Sequence, residues 1–400
     1  MNKLHRYSMF ALLYFAQGAI LSYFTAFNAI YLQSYQLTMS QIGLIGVIAM
    51  IPMVLKIFLG MLSDRVNLLG FGNRRPYIFI GLLIQATCLV LVPGINPHDQ
   101  YSSFMLTAFL LMTGMALYDT CTDGLALDTT PQNEQGTIQG FMVGGRAIGV
   151  VVISSLIGLI QNTTSWTITF WSLAGLSLVP LPLVIFAQER PRPSEKRFDW
   201  KAFGAFKARP IIALGLLGAL YSLVSNGINQ IVNPFLKSEF QIPIIIAGFL
   251  STVWGVGVVA GGLTGGQLVD KLGRQRALHS AIFLCLGAGL ALSMTFNMTF
   301  AWVLVFVFGL AYGFYETVYF ALSMYASDPR IAASMFSILM AVANIGTGIG
   351  LGLSGSMVDG LGYRPTFILL ALANFLAFPL LPVIFSRSGK SKTIFQPNQE

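Results

Sequence analysis

Twelve runs of apolar residues, each long enough to cross a bilayer, divide this chain from end to end. A helical crossing needs about 20 such residues. The runs fall at 8–33, 41–62, 76–94, 103–128, 136–161, 166–187, 210–236, 244–269, 276–296, 300–326, 332–358 and 365–386. Inside hydrocarbon each backbone N–H and C=O must be bonded within the protein, so unbroken apolar runs of this length are restricted to helices. The expected fold is an all-α membrane protein with twelve transmembrane helices. Composition agrees: 55% of the residues are hydrophobic and 10% are charged, against about 25% charged in soluble domains. That leaves too little polar surface for an aqueous enzyme or a nucleic-acid binder. No G-x-x-x-x-G-K-[ST] loop occurs, so no ATP-driven step and no cofactor is expected.

The net charge of +8 is a matter of topology. With the N-terminus in the cytoplasm, 19 of the 23 Lys and Arg fall on the cytoplasmic side; Lys237 and Arg364 fall outside, and Lys56 and Arg146 lie within spans. This is the positive-inside pattern. It predicts cytoplasmic termini in a bacterial inner membrane. The first run is too long for a signal-peptide core and has no A-x-A-like site after it, so it is expected to stay as a span. Cys88, Cys121 and Cys285 lie in apolar runs at unrelated spacings and suit small core residues. The Asn162 and Asn297 triplets sit in very short loops and read as chance matches to a glycosylation signal. Between the sixth and seventh runs, residues 188–209 mix seven cations with Phe198, Trp200, Phe203 and Phe206. Such a linker suits an interfacial helix on lipid headgroups, or an unstructured basic segment.

Charges within the runs are the candidate site, because ionisable groups in a bilayer are costly. Asp119 and Asp123 stand four apart on the fourth helix, one above the other. Arg146 lies ten residues into a helix that starts at Gly136, about 15 Å deep at ~1.5 Å per residue. Asp119 lies at nearly the same depth before the shared turn, so a buried Asp119–Arg146 pair is expected. Glu316 is deep in the tenth helix with no cation on its own helix. Desolvation favours the neutral form of a carboxyl group, the behaviour a proton carrier needs. Lys56 is open to several readings: facing a cavity, pairing across the halves, or snorkelling to headgroups. Polar stripes run along the first helix (Tyr14, Gln17, Thr25, Asn28), the seventh (Asn226, Asn229, Gln230, Asn233) and the tenth (Tyr312, Tyr315, Glu316, Tyr319). A polar stripe in a membrane helix faces protein or water.

The chain also repeats. Gly60-Met-Leu-Ser-Asp64-Arg65, with Arg74 and Arg75 closing its loop, is matched by Gly266-Gln-Leu-Val-Asp270-Lys271-Leu-Gly-Arg274-Gln-Arg276, half a chain later. A weaker echo, Gly355-Ser-Met-Val-Asp359-Gly-Leu-Gly362-Tyr-Arg364, follows three helices on. Two six-helix halves are expected: residues 1–187 and 210–386, joined by 188–209 and followed by a tail, 387–400. A chain of repeated halves is the architecture of secondary transporters. The motif Gly-x-Leu-x-Asp-Arg/Lys-x-Gly-Arg-x-Arg resembles the loop between helices two and three of the major facilitator superfamily. The stretch from Asp119 to Gly149 resembles the muropeptide permeases and the related acetyl-coenzyme A and folate–biopterin transporters. The resemblance implies that helices one, four, seven and ten line a central cavity. It also implies that Asp64, Arg65, Asp270 and Lys271 gate the cytoplasmic side, with Asp128 and Asp328 as partners for Arg74, Arg75, Arg274 and Arg276.

Together these readings predict a monomeric secondary transporter moving a polar, anionic organic solute inward by alternating access, coupled to protons. Its partners would be that solute, the proton and membrane lipid. The rivals are efflux of a hydrophobic or cationic compound, and a non-transporting relative such as an assembly factor for membrane pigment complexes.

Overall fold

In the computed structural model, which describes residues 2–68, 72, 74–131, 134–187, 207–326 and 332–386, twelve helices are long and apolar enough to cross a membrane. The first six are α1 (Lys3–Ala26, continued by Asn28–Ser34), α2 (Met39–Arg65), α3 (Arg75–Leu91), α4 (Tyr101–Thr129), α5 (Gln135–Thr163) and α6 (Trp166–Leu178, continued by Leu181–Ile185). The second six are α7 (Arg209–Phe240), α8 (Ile244–Leu272), α9 (Arg274–Ser293), α10 (Met298–Ala326), α11 (Ala332–Leu361) and α12 (Tyr363–Ala373, continued through a 3-10 stretch to Ile384). Residues 188–206 and 387–400, where the sequence suggests a basic linker and a tail, lie outside the described residues. An even number of crossings brings both ends of the described chain to one face, here called the terminal face.

Within each half the helices are joined by glycines. Lipid tails are as apolar as leucine, so helix association depends on close backbone approach and not on water exclusion. Gly18 of α1 lies so near α5 that a Cβ there would sit 2.2 Å from the Arg146 carbonyl oxygen, and a Cβ on Gly145 would sit 2.3 Å from that of Ala11. Gly261 and Gly313 bring α8 and α10 together in the same way. The break in α1 at Phe27 has a partner in the other half. Asn233 of α7 donates its side-chain N–H to the Ala26 carbonyl at 2.8 Å, satisfying a carbonyl at the break.

Two seams join the halves. Along α2 and α11, a Cβ on Gly355 would meet the Met39 carbonyl oxygen at 2.1 Å and one on Gly43 that of Leu351 at 2.5 Å. Asn344 donates to the Met53 carbonyl at 3.1 Å. Along α5 and α8, Thr252 donates to the Val151 carbonyl at 2.7 Å, and the Ser155 and Thr252 hydroxyls lie 2.6 Å apart. Both seams occupy the face away from the termini, and among the described residues their close contacts reach as far as Met53 and Val150. Past those points the close contacts turn back into the home half: Gly60 meets Thr120, and Gly145 meets Ala11. Among the described residues, the close contacts between the halves thus lie on the distal face.

Candidate functional site

Three charged residues stand where the seams end. Lys56 is about one turn past Met53 on α2. Arg146 is about one turn before Val150 on α5. On α8, Trp254 packs its ring 5.4 Å from Tyr312 of α10, and the next residue, Gly255, faces Val150 and Val151. Glu316 lies one turn past Tyr312, on the same inner side of that junction. The cations come from the first half and Glu316 from the second.

Beside them, α4 contributes its two acids. Asp119 is buried and takes two donors: the Gln17 side-chain N–H at 2.8 Å and the Lys56 ammonium at 3.4 Å. Asp123 accepts from the Tyr14 hydroxyl. The expected Asp119–Arg146 pair is therefore not formed, and Lys56 pairs within its own half instead of snorkelling. Helix neighbourhood explains both results. α4 packs along α2, whereas α4 and α5, adjacent in sequence, hardly touch; α5 lies on α1. Lys56 is nine residues from the end of α2 and Asp119 ten from the end of α4, so depth alone matches them as well as it matches Arg146. Depth was the available signal, and it fitted two cations.

Arg146 keeps no counter-ion in contact: among the described residues no carboxylate lies within 4.0 Å of its guanidinium. Glu316 likewise has no ion-pair partner or hydrogen bond among the described residues, and it is half-buried.

The polar stripes divide. On α10, Tyr312 donates to the Asn226 side-chain oxygen at 3.0 Å, and Asn226 donates to Thr347 at 3.1 Å, linking α10, α7 and α11 near Glu316. Tyr315 and Tyr319 are fully buried and stack on Tyr221 of α7, with ring centroids 5.2 and 4.8 Å away. Their rings pack inside the second half. At ~100° per residue, the stripe from Tyr315 to Glu316 is about 100° wide, enough to serve two neighbours. Gln230 bonds the Leu351 carbonyl and Ser354, again inside its own half. Asn28 is also a packing residue, accepting from Tyr23 just after the α1 break. Asn229 lines a small cavity beneath the distal seam with Thr25, Asn233, Ser251 and Trp254. The indole N–H of Trp254 is buried there with no hydrogen-bond partner among the described residues. A lone tryptophan in an apolar run gave no sequence signal.

At the terminal face, Arg74 is buried between α2 and α4, with Asp128 at 3.6 Å and the Ser63 hydroxyl beside it. Gly124 makes room for its guanidinium. Arg75 donates to the carbonyls of Val184 and Ile185 in α6. Arg274 lies over the Tyr325 ring, 3.0 Å from its centroid. Lys271 and Arg276 are exposed. These described partners all belong to the home half. The side chains of Asp64, Arg65 and Asp270, and residue Asp328, lie outside the described residues. One cluster there had no counterpart in the sequence reading. Glu134, just before α5, takes Lys3 at 3.2 Å and Tyr7 at 3.1 Å, and also Arg6. The hydrogen bond from Lys3, with help from Tyr7 and Arg6, holds the Glu134 carboxyl below the usual carboxylate range.

Comparison with known proteins agrees with this architecture. The family model described as Major Facilitator Superfamily matches residues 10–338 and again 214–400. "Putative transporter AmpG 2" of Rickettsia bellii is 23% identical over 362 residues, 84% of this chain and 85% of its own length. The "Anhydromuropeptide permease" of Escherichia coli is 25% identical over 340 residues, 80% of this chain and 67% of its own. "Sialic acid transporter NanX" of the same organism is 24% identical over 190 residues, covering 44% of this chain and 46% of its own. Among solved structures, the nucleoside transporter NupG superposes with a TM-score of 0.79 at 14% identity, covering 97% of this chain and 100% of its own. A bacterial homolog of the human lysosomal transporter Spinster, inward-facing and unoccupied, gives 0.76 at 17%, covering 95% and 97%. Repeated halves, seams between α2 and α11 and between α5 and α8, and these likenesses lead to one assignment: the chain belongs to the major facilitator superfamily, as a membrane transporter similar to the muropeptide permeases and not an enzyme.

Proposed function

We propose that this transporter carries a polar, anionic organic solute inward across a bacterial inner membrane by alternating access, in symport with protons, its terminal face being cytoplasmic. The observation behind this reading is Arg146. Its guanidinium stays charged at any working pH, it stands at the apex of the gap between the halves, and the acid expected to neutralise it is held by Lys56 and Gln17. An anionic group of the solute completes it through the paired N–H fork. The names of the relatives point the same way, since one carries a sialic acid and another an anhydromuropeptide. Glu316, on the opposite wall, is the group we assign to the proton, with Asp119 and Asp123 as the acids nearest to share it. A protonated Glu316 no longer attracts Arg146, so proton uptake and solute binding reinforce each other.

The acids at the apex, Asp119, Asp123 and Glu316, outnumber Lys56 and Arg146, and this favours a second reading: efflux of a cation held by Glu316. One experiment separates the two. Vesicles containing the protein are screened for pH-gradient-driven uptake of carboxylated metabolites, siderophores, sugars and cell-wall fragments, in wild type, Arg146→Gln, Arg146→Lys and Glu316→Gln. The expected result is uptake of an anionic solute that both Arg146 variants lose, because an ammonium cannot replace the fork. Glu316→Gln is expected to exchange the solute but not accumulate it. Uptake by Arg146→Gln at near wild-type affinity would sink the anionic-solute reading, and gradient-driven accumulation by Glu316→Gln would remove Glu316 as the proton site.

A further inference from the structure

The distal seam contains one carboxylate that belongs to neither the apex nor the terminal face. Asp359, in the last turn of α11, accepts from the backbone N–H of Met39 at 3.0 Å through Oδ1 and from that of Ser40 at 2.6 Å through Oδ2. These are the first two residues of α2, in the other half. The first four N–H groups of a helix have no partner within it. Here Thr38 supplies its hydroxyl to Gln41 at 3.3 Å and its carbonyl to Ile42 at 3.1 Å, so Asp359 completes the set. A carboxylate at a helix N-terminus also meets the positive end of the helix dipole. Two further contacts join the halves beside this cap. Gly355, one turn before Asp359, touches the Met39 carbonyl, and Gln33 donates to the Tyr363 hydroxyl at 3.0 Å. The arm that carries Asp359 is itself tied down, since Arg364 donates to the carbonyls of Ser293 and Thr295 and to Glu239 at 3.2 Å.

We propose that Asp359 is the distal latch: its carboxylate, capping α2 from the opposite half, holds the site closed on that face, and release of this cap is the step that opens the site there. Two features single it out. A cap supplied by the helix's own chain survives when the halves separate, whereas this one does not. It is also the acid of the third repeat copy, placed on the opposite face from the copies that end α2 and α8. Asp359 acts through α2 and touches no solute, so it is a positioning residue.

Spin-label distances test this in the full-length protein in lipid, without solute, the three native cysteines being buried. One pair, Ser34→Cys and Ser238→Cys, spans the halves on the distal face. The other, Val66→Cys and Gln275→Cys, spans them on the terminal face. All four positions are exposed. Asp359→Ala is expected to raise the ratio of distal-open to distal-closed molecules about tenfold, the factor that about 1.4 kcal/mol of lost capping corresponds to. The distal distance lengthens and the terminal distance shortens together. Asp359→Asn, which keeps one acceptor and less charge at the dipole, is expected to fall between Ala and wild type, and it carries the test if the Ala variant folds poorly. A lowered melting temperature with both distance distributions unchanged would make Asp359 only a cap for α2 and overturn the proposal. So would a distal lengthening with no terminal response, since a local lesion moves one face alone.

Discussion

Asp119 shows how a buried acid chooses its partner. Its side chain is 5% exposed, and leaving such a charge unpaired is expensive, so it takes the nearest cation that packing provides. That cation is Lys56 on α2, with Gln17 of α1 on the other oxygen. Removing one member of a buried pair typically costs ~3–5 kcal/mol, whereas removing both costs far less. Lys56→Met and Asp119→Asn are therefore each expected to lower the thermal unfolding temperature of the detergent-purified protein. The double variant should recover most of the loss. Single variants that melt like wild type would mean that solvent already screens the pair. Combining Asp119→Asn with Arg146→Gln should give no such recovery, because those two residues are not in contact.

The helices owe their spacing to glycine more than to side-chain bulk. At Gly18 the α1 backbone rests on the Arg146 carbonyl of α5, so the same contact that joins two helices sets the depth and rotation of the site cation. Gly18→Ala places a methyl group 2.2 Å from that oxygen, and overpacking of this kind costs about 1–3 kcal/mol. Gly144, two residues from Arg146, has open space where its Cβ would lie, so Gly144→Ala should be neutral or slightly stabilising, since alanine is the better helix former. Melting temperatures of the two variants side by side check this. If both fall equally, helix flexibility and not close packing is what glycine supplies there. The α1 break and the divided α10 stripe follow the same logic, because a helix with several neighbours presents a different edge to each.

The whole molecule is two six-helix halves whose described contacts with each other lie on the distal face, the arrangement that the proposed alternating access uses on one side at a time. Only its orientation in the membrane rests on charge counting. The bias of 19 cations to two predicts a cytoplasmic terminal face. Impermeant maleimide added outside intact cells should label Ser103→Cys, exposed at the start of α4, and miss Ser386→Cys, exposed after α12. The reverse pattern would invert the molecule and turn uptake into export in the same conformation.

Hydropathy carried the number of crossings and their helical form, and two short motifs carried the repeated halves and the family resemblance. Each follows from local rules: chain length against bilayer thickness, backbone bonds closed within a segment, a motif recurring at a fixed offset. The interior charges were also legible, since Asp119, Asp123, Arg146, Lys56 and Glu316 stand out in apolar surroundings. Their partners were not. Depth along a helix can be counted from sequence, but which helices are neighbours cannot, and consecutive helices such as α4 and α5 can lie apart. Only the packed molecule assigned Asp119 to Lys56, left Arg146 without a carboxylate in contact, turned Tyr315 and Tyr319 into packing residues, and set Asp359 on the end of a helix more than 300 residues away. The physical reason is that these choices are made between helices, by backbone approach at glycines and by contacts across the two seams, and such contacts leave no period in the chain.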